Sequence, residues 1–127
     1  MDNATLIVLL ALLQFIWFGM RVGMARGKYK VNAPACEGDE TFERLFRVHQ
    51  NTMEQLLVLI PAVYAFAYYL SSTWVLLAGA VFIIGRFTYS AEYVKDPKSR
   101  TLGMALTLVA NVVLVLGALF GLIRGML

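Results

Sequence analysis

The chain divides into four long apolar blocks, Ala4–Met20, Leu56–Leu70, Trp74–Gly85 and Leu102–Ile123, separated by polar stretches. Within the blocks, strong polarity is confined to Gln14 and Asn111. Runs of this kind predict membrane-spanning helices. The 17 residues of the first block cover about 25 Å as a helix, enough to cross once Arg21 snorkels at its end. The second block is extended upstream by a polar helical stretch from Phe42, and the third continues as helix through Tyr93. The predicted fold is all-α: an integral membrane four-helix bundle forming one domain, with spans at about 4–26, 42–70, 73–94 and 101–124. Met1-Asp2-Asn3 lacks the basic residues that precede a cleavable signal, so the first block is expected to be retained.

Local signals refine these limits. Gly27 to about Thr41 is the one long connection, with Pro34 and Gly38 as breakers. Asp39 or Thr41 is expected to cap the second helix. Pro61 is expected to kink that helix and free the carbonyl of Leu57. Gly19, Gly23 and Gly27 recur at every fourth position, as do Gly117 and Gly121, while Gly79 and Gly85 lie in the third span. Such spacing predicts close helix approach in lipid, some of it between subunits.

Composition agrees with a membrane location. Hydrophobic residues make up 60% of the chain, and its mean hydropathy is +0.71. A soluble domain of this size would expose far more apolar surface than such proteins tolerate. The net charge of +3 is unevenly distributed: basic residues cluster between the first and second blocks and again between the third and fourth. Ser71-Ser72-Thr73, between the second and third, carries no charge. The positive-inside rule then places both basic connections in the cytoplasm. A pI near 9.2 does not signal nucleic acid here, because the cations form no continuous face; attraction to anionic headgroups accounts for them. With one cysteine, Cys36, and one histidine, neither an intrachain disulfide nor an ordinary four-ligand zinc site can form.

The candidate chemistry lies in two polar rows. Arg44, Arg47, Asn51 and Glu54 have offsets of 0, 3, 7 and 10 and share one helical stripe. Arg86, Tyr89 and Tyr93, at offsets of 0, 3 and 7, form a second stripe, and Arg100 follows after a short loop. Charge at membrane depth persists where it meets a polar partner or cavity. Guanidiniums suit carboxylates and phenols donate hydrogen bonds, so the combined rows fit a small zwitterion or polyanion with several carboxylates. Glu54 would take an ammonium or lock a neighbouring arginine. The plainer alternative makes the arginines interface anchors and the tyrosines an aromatic belt; Asn51 and Glu54, one to two turns deeper, are not needed for anchoring.

The run Phe42-Glu43-Arg44-Leu45-Phe46-Arg47-Val48-His49-Gln50-Asn51-Thr52-Met53-Glu54 resembles the signature of the MAPEG family, membrane-associated proteins in eicosanoid and glutathione metabolism. Arg86, Tyr89, Tyr93 and Arg100 resemble its third-helix pattern, and the likeness covers essentially the whole chain. It implies a detoxifying homotrimer that binds glutathione as co-substrate between subunits, with no metal. The second substrate would be a lipophilic electrophile or lipid hydroperoxide dissolved in the bilayer. By position, Arg44, Arg47, Asn51, Glu54, Arg86, Tyr89 and Tyr93 match glutathione-binding residues, and Arg26 matches a further basic contact. His49 stands where microsomal glutathione transferases often carry histidine and is counted with the glutathione-binding residues, as an interface or hydrogen-bonding group rather than a general base. Arg100 falls where the family places the catalytic arginine that stabilises the glutathione thiolate. Gly27 and Gln55 depart from the leukotriene-forming pattern, and Pro61 lies deeper than the family's usual proline. The resemblance leaves open a bacterial inner membrane or an endoplasmic-reticulum-type membrane, with the site facing the cytoplasm. A non-catalytic lipid-presenting member is the alternative. A small multidrug transporter would need a carboxylate within Ala4–Met20, which has none.

Overall fold

The computed structural model describes residues 1–127. Four helices follow in order: α1 (Asp2–Tyr29), α2 (Glu40–Tyr69), α3 (Trp74–Lys95) and α4 (Thr101–Met126), with one short 3₁₀ turn at Pro97–Ser99. The all-α four-helix architecture expected from the hydrophobic pattern is present. Each helix outruns or closely matches its predicted span, because polar ends continue the helix beyond the apolar residues.

The ends are set by local chemistry. Asp39, rather than Thr41, caps α2: its carboxylate accepts the Phe42 N–H at 3.0 Å. Lys30 closes α1 in the left-handed region at φ 58°. Between α3 and α4, Asp96 accepts the Lys98 N–H at 3.1 Å. The Ser99 hydroxyl donates to the Asp96 carbonyl at 2.8 Å, and the Glu92 carboxylate accepts the Gly103 N–H at 2.9 Å. That corner therefore joins two helices through several polar contacts. α2 runs as continuous helix through Pro61, so the proline does not divide it.

α1, α3 and α4 are each long and apolar enough to cross a membrane. α2 differs because its first half carries the charged row and its apolar residues begin at Leu56. The bundle exposes an apolar outer surface and buries several polar groups beside an apolar core. Leu9, Leu13, Ile16, Leu108 and Leu116 are exposed, whereas Gln14, Asn51, Thr52, Arg86, Thr107 and Asn111 are buried. Lipid is the solvent that makes such an outer surface favourable. Inside, Ile7 and Ala11 of α1, Leu59 and Val63 of α2, Phe82 of α3 and Leu114 of α4 belong to one core cluster.

Small residues decide how closely the helices pack. A methyl group at Gly79 would overlap Ile7, one at Gly117 would overlap Phe66, and one at Gly121 the carbonyl of Tyr69. Gly103 lies directly against the backbone of Tyr89. The Gly79 contact brings α3 onto α1, and the others bring α4 onto α2 and α3, by van der Waals packing that bulkier side chains would prevent. A methyl group at Gly23 or Gly27 would meet nothing within 4 Å, so neither glycine serves close packing within the chain. Gly103→Val is expected to lower unfolding free energy by about 2 kcal/mol through overpacking. Gly125→Ala, in open space, should stay within about 0.5 kcal/mol; denaturant titration of the detergent-solubilised protein checks both.

Candidate functional site

The α2 row separates by depth into three kinds of contact. Arg44, in the first turns, donates Nη1 to the carbonyls of Val94 and Lys95 at 3.0 and 3.2 Å. It thereby satisfies free acceptors at the C-terminus of α3, where the helix dipole favours a cation. It also forms an ion pair with Glu40 one turn earlier. Arg47 pairs with Glu54 at 3.5 Å, and both side chains are about half exposed, at 52%. Asn51 is buried, and its Oδ1 accepts a hydrogen bond from Arg86 at 2.8 Å.

Arg86 is the centre of the second row and is fully buried. Its Nη2 donates to Asn51 and, at 3.1 Å, to the Thr52 hydroxyl. Its Nη1 lies 3.4 Å from the Thr107 hydroxyl. Each threonine gives its own proton to a carbonyl one turn back, Thr52 to Val48 at 2.7 Å and Thr107 to Gly103 at 2.9 Å. That leaves oxygen lone pairs for the guanidinium. Tyr89 places its ring 4.3 Å from the Arg86 guanidinium carbon and stacks on Tyr93 at 5.4 Å. The chain's two ion pairs involve Arg44 and Arg47, so no carboxylate compensates Arg86, and its Nε has no partner.

The rows meet in two places. Inside the bundle they join through Asn51 and Arg86. At the surface they share an open cleft of about 480 Å³, where Arg44 and Arg47 of α2 face Tyr93 of α3 beside Glu40, Glu43 and Cys36. This cleft combines fixed cations, carboxylates and a phenol, a set suited to a small charged molecule with both signs.

Other predicted residues stand apart within the chain. Arg26 donates to the Ala35 carbonyl at 2.7 Å and covers the Phe42 ring, fastening the first loop. His49 stacks on Phe15 at 4.4 Å and abuts Gly19, so it faces α1 rather than the row. Arg100 is exposed at the start of α4. Glu54 lies at the row's outer flank with Arg47. Sequence reasoning missed Thr52 and Thr107 as partners of Arg86. A signal existed for Thr107, which precedes Asn111 by one turn and marks the polar face of α4; Thr52 lies off the α2 stripe and gave none. Also missed was the Arg21–Ser90 hydrogen bond at 2.7 Å, which ties α1 to α3.

A four-helix bundle with three membrane-length apolar helices and a charged cleft at one end defines an integral membrane protein. The sequence profile described as the MAPEG family matches residues 4–120, and the chain belongs to that family. It is 39% identical over 118 residues to an uncharacterized protein of Synechocystis sp., covering 93% of this chain and 86% of the other. It is 36% identical over 120 residues to microsomal glutathione S-transferase 2 of Bos taurus, covering 91% of this chain and 82% of that protein. The Homo sapiens protein of the same name is 36% identical over 112 residues, covering 87% and 76%.

The interior pairing makes a stability prediction. Asn51→Leu leaves a buried cation short of an acceptor and should cost about 2 kcal/mol. Arg86→Met should rescue much of that loss in the double variant, because removing both polar partners is cheaper than orphaning one. A double-mutant cycle by denaturant titration reads the coupling.

Proposed function

We propose that the protein is a membrane glutathione S-transferase that conjugates the glutathione thiolate to lipophilic electrophiles and also reduces lipid hydroperoxides. The observation that carries this reading is the shared cleft of Arg44, Arg47 and Tyr93, connected through the Tyr93–Tyr89 stack to Arg86 and its partner Asn51. The names of the bovine and human relatives support it. Glutathione is a tripeptide with two carboxylates, one ammonium and a thiol, so arginines paired with a glutamate suit its ends. Arg44, Arg47, Asn51, Arg86, Tyr89 and Tyr93 are assigned to its binding, and Glu54 to its ammonium.

The active form is taken to be a homotrimer with one site at each boundary. Arg47 and Glu54 are half exposed on the outer flank, and Arg26, His49 and Arg100 are not gathered by one subunit. A neighbouring subunit would complete the set. Arg100 is assigned to the thiolate: a nearby guanidinium favours the anion over the thiol, whose ordinary pKa is about 8.5. The thiol proton leaves to solvent, the sulfur lone pair forms the new C–S bond, and the electrophile's leaving group departs or its ring opens. The bilayer concentrates apolar substrate beside the site, and positioning makes the encounter effectively intramolecular. The distribution of basic residues supports a site on the cytoplasmic face.

Calorimetric titration of the detergent-purified protein with glutathione, followed by ultraviolet absorbance of the thiolate, tests the reading. Arg47→Ala is expected to weaken glutathione binding about tenfold. Arg100→Ala should preserve binding and lower turnover by about a hundredfold. Binding without thiolate would favour a lipid-presenting member of the family, and wild-type turnover in Arg100→Ala would remove the assigned catalytic role. Absence of glutathione binding would overturn both schemes.

A further inference from the structure

The start of α4 is capped from another helix. Its N-cap residue is Arg100, which makes no capping hydrogen bond, and no acidic residue lies in its first turn. A guanidinium has no acceptor to offer, while the first N–H groups of a helix need one. α2 and α3 meet that need from the loop just before them: Asp39 accepts the Phe42 N–H at 3.0 Å and the Ser71 hydroxyl the Trp74 N–H at 3.1 Å. For α4 the acceptor is the carboxylate of Glu92 on α3, which takes the Gly103 N–H at 2.9 Å, where the helix dipole also favours negative charge. The Glu92 main-chain carbonyl accepts the Asp96 N–H at 2.8 Å and the Ser99 hydroxyl at 3.1 Å. One residue of α3 thus holds the chain on both sides of Arg100, at Ser99 before it and Gly103 after it. Glu92 does so without pairing with the guanidinium, since the chain's ion pairs are Arg44–Glu40 and Arg47–Glu54.

A Ser, Thr, Asp or Asn at position 100 would cap α4 more simply, but would leave no arginine there. Supplying the acceptor from α3 frees the N-cap position for a cation. It also ties that cation to the helix that carries Tyr89 and Tyr93. Gly103 lies against the Tyr89 backbone, so the clamp acts where α4 already approaches the tyrosine row most closely. We propose that Glu92 is a positioning residue for Arg100, setting its distance from the Tyr89–Tyr93 row by holding the first turn of α4 against α3. The proposal rests on the transferase reading, which assigns Arg100 to the thiolate, and adds to it a residue that belongs to neither polar row. Attraction between charges falls with separation, so a guanidinium on a loosened corner spends less time near enough to the sulfur to hold it ionised. The role requires reach rather than charge. An amide oxygen in the same place accepts the Gly103 N–H, whereas a carboxylate one methylene shorter does not arrive.

The test titrates glutathione bound to the full chain in detergent, reading thiolate absorbance over about pH 5–10, with conjugation of a chlorodinitrobenzene followed alongside. Glu92→Ala and Glu92→Asp should each raise the apparent thiol pKa by about one pH unit and lower turnover near neutral pH about tenfold, with glutathione affinity held within about twofold. The deficit should close above about pH 9, where an ordinary thiol ionises unaided. Glu92→Gln keeps the acceptor and should retain the wild-type titration. In an Arg100→Ala background, Glu92→Ala should add no further loss. Thermal unfolding confirms that each variant is folded, and Glu92→Asp carries the test where Glu92→Ala does not fold. An unchanged titration in the shortened variants, with wild-type conjugation intact, overturns this proposal alone. So does a Glu92→Gln protein as impaired as Glu92→Ala, or an equal loss in the Arg100→Ala background. Wild-type protein that binds no glutathione, or binds it without a thiolate, overturns the transferase reading and this proposal with it.

Discussion

A cation without a carboxylate, buried where three helices meet, sets the terms for this structure. Arg86 carries a charge that is costly to bury unless its donors are matched, and a lipid-facing bundle offers it no water. Neutral oxygens meet that demand: one amide from α2 and hydroxyls from α2 and α4. Because the acceptors come from different helices, the guanidinium fixes their relative rotation as well as their separation. Misplacing any one helix would strand a charge. The resulting positional specificity is greater than that of the leucines and valines around it, which could repack in several ways.

The close packing of α4 follows from the same requirement. Thr107 can reach Arg86 only if α4 lies against α3, and Gly103 permits backbone contact there, one turn before Thr107. Further along, Gly117 admits the Phe66 ring and Gly121 the Tyr69 carbonyl of α2. Association of helices in lipid gains little from apolar contact alone, since the surrounding tails are equally apolar. Backbone proximity and satisfied polar groups supply the difference. Arg44 adds a third fastening by occupying the carbonyl end of α3, which commits much of its donor capacity to structure and leaves Arg47 the freer cation.

The fold was legible because the four apolar blocks are long and the period of each polar row is unambiguous. Offsets of three and seven placed Arg86, Tyr89 and Tyr93 on one face, and the structure brings the two tyrosines into a stack. Asp39 against Thr41 was not resolvable from sequence, because both are good caps and only the chain path selects one. Helical period also could not reveal which row residue faces inward. Asn51 and Glu54 share a stripe, yet one is buried and the other half exposed, because α3 covers only part of that stripe. Thr52 escaped notice because a lone threonine beside a polar row gives no signal until its partner is placed. His49 illustrates the reverse: it lies within the run that resembles the family signature, but the helix turns it towards Phe15.

The corner between α3 and α4 determines how Arg100 can behave. Its backbone follows a 3₁₀ turn tied by Asp96, Ser99 and Glu92, while its side chain is exposed. The anchor point is stiff and the guanidinium on its end is free, like a pendant on a fixed bracket. Any reorientation of the guanidinium therefore requires only rotation about side-chain bonds, on the nanosecond scale or faster, with no opening of the main chain.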